Sequence, residues 1–285
     1  MSESREGVAR LACFELWGGN SKAVHAIELP GLLGWIWCTP FGHGDSGGDV
    51  HYVSVCSKGQ VSRIALADVA GHGESASSVA ERLRWVLRHH TDNWDQSALM
   101  RELNEAFKQD AKGVQFATAV VLGFYLATGE LLFTNAGHLP LLWHHAGSGV
   151  WDWLEDHTPY AKDVAALPLG LISGTTYAQT IVDFSPGDTL LLYTDGITES
   201  RNEAGAELGH EGLLGLVRSL TVGPPEGPVA FGHALVARLK GFQGRGPQRD
   251  DETLILLERQ PGIGQLRTSQ GSGRRNTGPA RRKPR

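Results

Sequence analysis

The stretch Ala67-Asp68-Val69-Ala70-Gly71-His72-Gly73 decides how this chain is read. An apolar run, Ile64 to Ala67, ends abruptly in one carboxylate, and a Gly-His-Gly turn follows. Beyond the turn, Ser75 to His90 carries apolar residues at Val79, Leu83, Val86 and Leu87, a helical spacing. Strand, Asp at its mouth, glycine turn, helix start: this order holds a carboxylate at the edge of a core with backbone groups beside it. Three further carboxylate groups sit the same way. Asp49, in Ser46-Gly47-Gly48-Asp49, precedes the run His51 to Cys56. Asp195 ends the run Thr189 to Thr194, and Asp250-Asp251 opens the run Thr253 to Leu257.

A lone Asp after a strand is ordinarily a turn residue or a helix cap. Asp188, in the turn Ser185-Pro186-Gly187-Asp188, is read that way. Four strand-edge carboxylates together point elsewhere. Hard divalent cations take oxygen ligands, and magnesium or manganese sites are built from a few Asp with several retained waters. Two such ions lower the pKa of a bridging water and stabilise the oxygens of a phosphate under attack. Asp suits the task because its short side chain keeps the ligand close to a rigid strand. The flanking glycines let carbonyls and waters approach. The chain therefore reads as a metal-dependent enzyme.

The bulk numbers agree with a folded, core-forming protein: 41% hydrophobic and 20% charged residues over 285 positions. No apolar run approaches the ~20 residues of a membrane span, and Met1 to Arg10 lack the apolar stretch of a signal peptide. Cys13, Cys38 and Cys56 make an odd count without CxxC spacing, which argues against a disulfide framework or a zinc ribbon. The expected compartment is the cytoplasm. Residues 261–285 hold seven Lys or Arg and no acid, so a total of −5 leaves −12 on residues 1–260. An acidic body argues against a nucleic-acid partner. The tail is rich in Gly, Ser, Pro and Arg, is expected to be disordered, and forms no amphipathic helix to anchor in a membrane.

Read in order, the chain offers strands at Leu11–Trp17 and Leu32–Cys38, then a hairpin of His51–Cys56 and Val61–Ala67 with carboxylates at its open end. Two helices follow, Ser75–His90 and Gln96–Ala111, the second with Asp95 as N-cap. Further strands are read at Phe116–Tyr125, Leu131–Asn135, Leu139–His144, Trp151–Leu154, Thr176–Phe184 and Thr189–Thr194. Residues 155–166 read as a polar loop. Helices at Glu211–Leu220 and Val229–Phe242 and a closing strand Thr253–Glu258 complete the chain. Strands, two helices, then more strands argue for an α+β protein with mostly antiparallel sheet.

Six short segments occur in register: Gly47-Gly48-Asp49; the opening stretch; Thr134-Asn135-Ala136-Gly137-His138-Leu139-Pro140; Pro168-Leu169-Gly170; Leu192-Tyr193-Thr194-Asp195-Gly196-Ile197-Thr198-Glu199-Ser200-Arg201-Asn202; and Asp250-Asp251-Glu252-Thr253. Together they resemble the bacterial PP2C-type (PPM) serine/threonine phosphatases of the SpoIIE and RsbU group, from about residue 40 to 258. The resemblance implies a PP2C-like αββα sandwich, two antiparallel sheets flanked by helices, over residues 1–260. It implies two Mn2+ or Mg2+ ions and hydrolysis of phosphoserine or phosphothreonine by a metal-activated water. Carried over, Asp68 bridges the ions and the Val69 carbonyl lies beside it. Asp195 and Asp250 hold one ion, and Asp49 helps hold the other, partly through water. Asp251 stands where the group varies between Asp and Asn and ranks below Asp250. His72 shapes its turn, and His138 is structural.

One departure is visible. Many eukaryotic PP2C enzymes carry an arginine before the first Asp motif to bind substrate phosphate. Here Cys38 to Gly48 contains no Arg or Lys, and His43 is the one candidate cation. With only about 40 residues before Gly48, the chain reads as a stand-alone catalytic domain. The resemblance implies a phosphorylated protein substrate, a STAS-type regulator in a partner-switching pathway. In the group, the helix pair over residues 75–111 can act as a switch; here it is read as sheet cover. Two rivals from other classes are a degenerate phosphatase that only binds a phosphoprotein, and a two-metal nuclease, which the acidic body disfavours.

Overall fold

The computed structural model describes residues 9–10, 15–19, 22–41, 47–56, 59–70, 83, 85–89, 95–109, 116–157, 167–220 and 227–261. Much of the opening stretch (Gly71, His72, Gly73), His43, most of the helix read at 75–90, the polar loop beyond residue 157 and the basic tail beyond Pro261 lie outside the described residues.

Among the described residues, thirteen strands form two sheets. The first is ordered β1 (Ala9–Arg10), β3 (Ala23–Leu29), β4 (Leu32–Thr39), β13 (Glu252–Arg259), β12 (Thr189–Tyr193), β9 (Leu142–His145), β10 (Val150–Trp153). The second is ordered β11 (Thr180–Asp183), β8 (Glu130–Ala136), β7 (Ala117–Tyr125), β6 (Val61–Val69), β5 (Asp49–Cys56), β2 (Glu15–Gly19). Neighbouring strands are antiparallel except for β1 beside β3.

Strand side chains alternate between faces, and three buried clusters follow from that alternation. Ile27, Ile36, Ile255 and Leu190 of one sheet meet Val53, Ile64, Leu66 and Val120 of the other in a single apolar layer. The opposite face of the second sheet, including Tyr52, Ala65 and Val121, packs under α1 (Gln96–Gln109) and helical residues 83 and 85–89. The outer face of the first sheet, including Trp35, Leu254 and Leu256, packs under α3 (Gly209–Leu220) and α4 (Gly227–Gln243). At Gly232 of α4 an added Cβ would run into the Trp35 indole, so the helix can lie this close only with glycine there. The result is helix, sheet, sheet, helix: the αββα sandwich expected from the sequence.

Asp95 caps α1 as expected, its Oδ1 accepting from the Ala98 N–H at 2.9 Å. Asp188 is the turn residue it was read as: its carboxylate accepts from Ser185 N and Ala146 N, both at 2.8 Å. Other readings need correction. The segment between the first two expected strands contains β3, which pairs along its length with β4 through the Pro30-Gly31 turn. Its alternation is interrupted by Ala26 beside Ile27, so it did not read as a strand. Of the first of those two expected strands, Leu11–Trp17, residues 11–14 lie outside the described residues, and β2 covers the rest and runs on to Gly19. Strand β9 begins at Leu142 rather than Leu139, because Pro140 has no N–H and Asn135 folds the preceding segment into a turn. Strand β11 begins at Thr180 rather than Thr176; the Gln179 side chain instead accepts from Gln96 N at 2.8 Å.

Candidate metal centre

The alternation that builds the apolar interior also builds the site. On β5, Val53 and Val55 face the layer between the sheets, and strand alternation puts His51 and Asp49 on the same face. On β6, Asp68 shares its face with Ile64 and Leu66, and Asp49 and Asp68 are direct cross-strand partners. On the other sheet, Thr194 follows Leu190 and Leu192, and Thr253 precedes Ile255 and Leu257 on the same faces. At one end of the sandwich the interior therefore changes from aliphatic to a layer of Asp and Thr.

Within that layer Asp49 is the most buried of the carboxylates, 3% exposed, beside fully buried Thr194 and Thr253. Its Oδ2 accepts from Thr194 Oγ1 at 2.7 Å and from Thr253 Oγ1 at 2.6 Å. Thr194 Oγ1 in turn accepts from Thr253 N at 3.0 Å. Burial, then the charge of Asp68, pushes the Asp49 carboxyl well above its ordinary range, and the two hydroxyls only partly offset this. Asp68 is half-buried; burial first, then Asp195, Asp250, Asp251 and Glu199, raise it to about 7. Asp195 opens the short helix α2 (Asp195–Thr198), and burial followed by Asp250 and Glu199 raises it to about 6. Asp250 is exposed at the mouth, just ahead of β13. The carboxylates named from the sequence thus converge from four strands, graded from buried Asp49 to exposed Asp250.

Asp251 does a different job. It is 6% exposed and accepts from Phe41 N at 2.6 Å, from Gly48 N, and from Asp49 N at 3.4 Å. It clamps both ends of the loop that delivers Asp49. The fit is close: a Cβ on Gly47 would overlap the Asp251 carboxylate, and one on Gly196 would overlap its carbonyl oxygen. Asp251 N itself donates to Asp250 Oδ1 at 2.8 Å, which orients that carboxylate.

His138 stands behind the layer. Its backbone N–H and carbonyl are held by Asn135, at 2.7 and 3.1 Å, and its Nδ1 lies 3.1 Å from Thr118 Oγ1. Thr118 is the cross-strand neighbour of Asp68. Burial lowers the ring to about 4, so it stays neutral; the Tyr193 backbone partly offsets this without meeting hydrogen-bond geometry at Nε2. This agrees with the structural role read from the sequence. Cys38 Sγ lies 3.3 Å from Thr253 Oγ1, whose one proton goes to Asp49, and burial pushes its thiol to about 12, so it is no thiolate nucleophile.

The donor set fits a hard cation in kind: oxygen donors only, the pKa of Asp68 and Asp195 raised by burial and by acidic neighbours, with no Lys or Arg ion-paired to them among the described residues. Among the described residues no three His, Cys, Asp or Glu stand close enough to hold one ion as they are set. The carboxylates feel one another across a gap, an arrangement suited to ions that keep several waters. Thr194, Thr253 and the clamping role of Asp251 were missed by the sequence reading; the one signal was that Thr194 directly precedes Asp195 and Thr253 follows Asp251 by two residues.

The chain matches the family model of stage II sporulation protein E (SpoIIE) over residues 58–260, and it belongs to that family. It is 26% identical over 197 residues to phosphoserine phosphatase RsbU of Bacillus subtilis (strain 168), covering 69% of this chain and 55% of RsbU, so it spans about half the length of that relative. The fold is that of the PP2C phosphatase domain. The SiaA-PP2C domain of Pseudomonas aeruginosa superposes with a TM-score of 0.64 at 23% identity, covering 80% of this chain and 85% of that one. The catalytic domain of the serine/threonine phosphatase PstP, in complex with 2 manganese ions, superposes with a TM-score of 0.54 at 18% identity, covering 81% of this chain and 99% of that one. Among the described residues no helix is long and apolar enough to cross a membrane.

Proposed function

We propose that this chain hydrolyses phosphoserine or phosphothreonine on a protein, using Mn2+ or Mg2+ held at the Asp49–Asp68–Asp195–Asp250 end of the sandwich. The observation that carries the reading is the convergence of these carboxylates on one apolar-to-polar boundary, where, on top of burial, Asp68 raises the pKa of Asp49, Asp195 and Asp250 raise that of Asp68, and Asp250 raises that of Asp195. Uncompensated, that cluster opposes its own ionisation; divalent ions supply the missing positive charge. Asp68 and the Val69 carbonyl are the central ligands, Asp195 and Asp250 close the exposed side, and Asp49 serves from beneath. When bound, the ions supply Lewis acidity to a water and to the phosphoryl oxygens. The chain's own contribution is to fix the ligands. Thr194 and Thr253 orient Asp49, Asp251 pins the loop that carries it, and His138 braces Thr118 beside Asp68.

The family resemblance supports a phosphorylated STAS-type regulator as the substrate, and the name phosphoserine phosphatase borne by RsbU supports phosphoserine as the group removed. A rival reading, a phosphoprotein-binding module without turnover, is favoured by one observation: the absence, among the described residues, of three close-set ligands. The deciding experiment follows phosphate release from a phosphoserine peptide after EDTA treatment, with and without added Mn2+, beside single-stranded DNA. Mn2+-restored release from the peptide, with the DNA left intact, is expected. Peptide binding without release in Mn2+ supports the rival, and DNA cleavage overturns both.

A further inference from the structure

Two loops flank the carboxylate site and meet beside it. One runs on from α2 through Arg201 and Asn202; the other leads from α4 through Arg245 and Arg249 into Asp250. They are tied beneath by Gln243, whose Nε2 donates to Ser200 Oγ at 2.9 Å, and by Ser200 Oγ donating to Gly196 O at 2.8 Å. On the far side Gln248 Nε2 donates to the carbonyls of Asp250 and Thr39, both at 2.8 Å. Between the loops lies a notch of about 340 Å3 lined by Arg201, Arg245 and Arg249, with Glu203 and Asn202.

The charge in the notch is unevenly spent. Arg201 is paired with Glu207 at 2.7 Å and donates to Gly205 O at 3.1 Å, so it braces its own loop. The Glu203 carboxylate accepts from the Arg245 backbone N–H at 3.1 Å. Among the described residues, the guanidinium groups of Arg245 and Arg249 make no ion pair. Both are exposed. Residues 1–260 carry a net charge of −12, so a three-arginine notch is a local exception. It adjoins Asp250, the most exposed of the site carboxylates. The segment Cys38 to Gly48, which leads into Asp49, has no Arg or Lys of its own. Guanidinium groups bind carboxylates through paired, charge-assisted hydrogen bonds.

We propose that Arg245 and Arg249 form an anion-binding subsite that takes acidic side chains flanking the phosphorylated residue of a protein substrate. The proposal rests on the phosphatase reading. Arg249 directly precedes Asp250, and Asp250 does not line the notch, so the subsite stands beside the carboxylates and is suited to a residue neighbouring the phosphorylated one. Electrostatic capture of this kind acts on the specificity of productive binding and leaves the bond-breaking step untouched.

The test compares two phosphoserine peptides that differ only in Glu against Ala at the flanking positions. The wild-type chain is expected to favour the acidic peptide in kcat/KM by about five- to tenfold. The double variant R245A/R249A is expected to lose that preference while its p-nitrophenyl phosphate turnover stays unchanged. R245E/R249E is expected to favour a Lys-flanked peptide. Equal kcat/KM for the two peptides in the wild type, or a preference that survives R245A/R249A, overturns the subsite. If no substrate is turned over at all, the phosphatase reading fails, and fluorescence anisotropy of the labelled acidic peptide still decides the notch. Weaker binding to R245A/R249A than to wild type upholds it, and equal binding overturns it.

Discussion

Thr253 donates from its Oγ1 to Asp49 Oδ2 at 2.6 Å, joining the last strand of one sheet to the first carboxylate of the other. This bond crosses the sandwich where its apolar filling ends. It holds a buried carboxylate whose pKa burial and Asp68 push well above its ordinary range, and it offsets part of that rise. Thr253→Val removes the hydroxyl at nearly constant shape and leaves a buried acceptor short of one partner, a loss of about 1–3 kcal/mol. The expected result is a lower denaturation midpoint and a higher Mn2+ concentration for half-maximal activity, with Thr253→Ser restoring both. A metal requirement unchanged in the Val variant would show that the bond does not orient Asp49.

Asp251 uses both carboxylate oxygens on backbone N–H groups, Oδ1 on Phe41 and Oδ2 on Gly48 and Asp49. Asn keeps one acceptor and turns an NH2 toward a donor; Ala keeps none. Activity is therefore expected to fall in the order Asp, Asn, Ala, with Asp251→Ala also less stable by about 2 kcal/mol. Urea unfolding together with peptide dephosphorylation measures both. An Asn variant as impaired as the Ala variant would contradict the clamp.

Gly196 faces the Asp251 carbonyl oxygen so closely that a Cβ has no room. Gly196→Ala must push α2 away from β13 and carry Asp195 with it. Thermal denaturation is expected to show a drop of several degrees, and Mn2+ affinity should fall in the same variant. Gly215 has nothing near its would-be Cβ, so Gly215→Ala is the matched control.

The pH dependence has a definite sign. Asp68 rises from 3.8 to about 7 through burial and its acidic neighbours. In the metal-free protein the folded state keeps a proton there that the unfolded chain releases, so this group costs stability as pH climbs from about 4 to 7. Asp68→Asn never carries that charge. Without metal, the Asn variant should match wild type near pH 4 and exceed it near pH 7.5 by about 4 °C or more in Tm. In excess Mn2+ the order should reverse at pH 7.5. A Tm difference that does not change with pH would contradict the coupling.

Much of this was legible in the sequence because strand parity and strand ends are local properties. Asp49, Asp68, Asp195 and Asp250 each close or open an apolar run, and the hairpin register that makes Asp49 and Asp68 partners follows from equal distances to one turn. Thr194 and Thr253 were not legible. They are small neutral residues whose value lies in a meeting across two sheets, 59 residues apart in the chain. The arginine notch was hidden for the same reason: its charges come from two loops, and each alone reads as a solvated turn. Strand β3 was missed because Ala26 and Ile27 are both buried and break the expected alternation.

The central claim is that these four carboxylates exist to hold divalent ions. Calorimetric titration of Mn2+ into the EDTA-stripped chain at pH 7.5 tests it without relying on any substrate. The account predicts saturable binding of about two ions per chain, lost or reduced to a weak single event in Asp68→Asn. No saturable heat in the wild type, or an unchanged isotherm in the Asn variant, would contradict it.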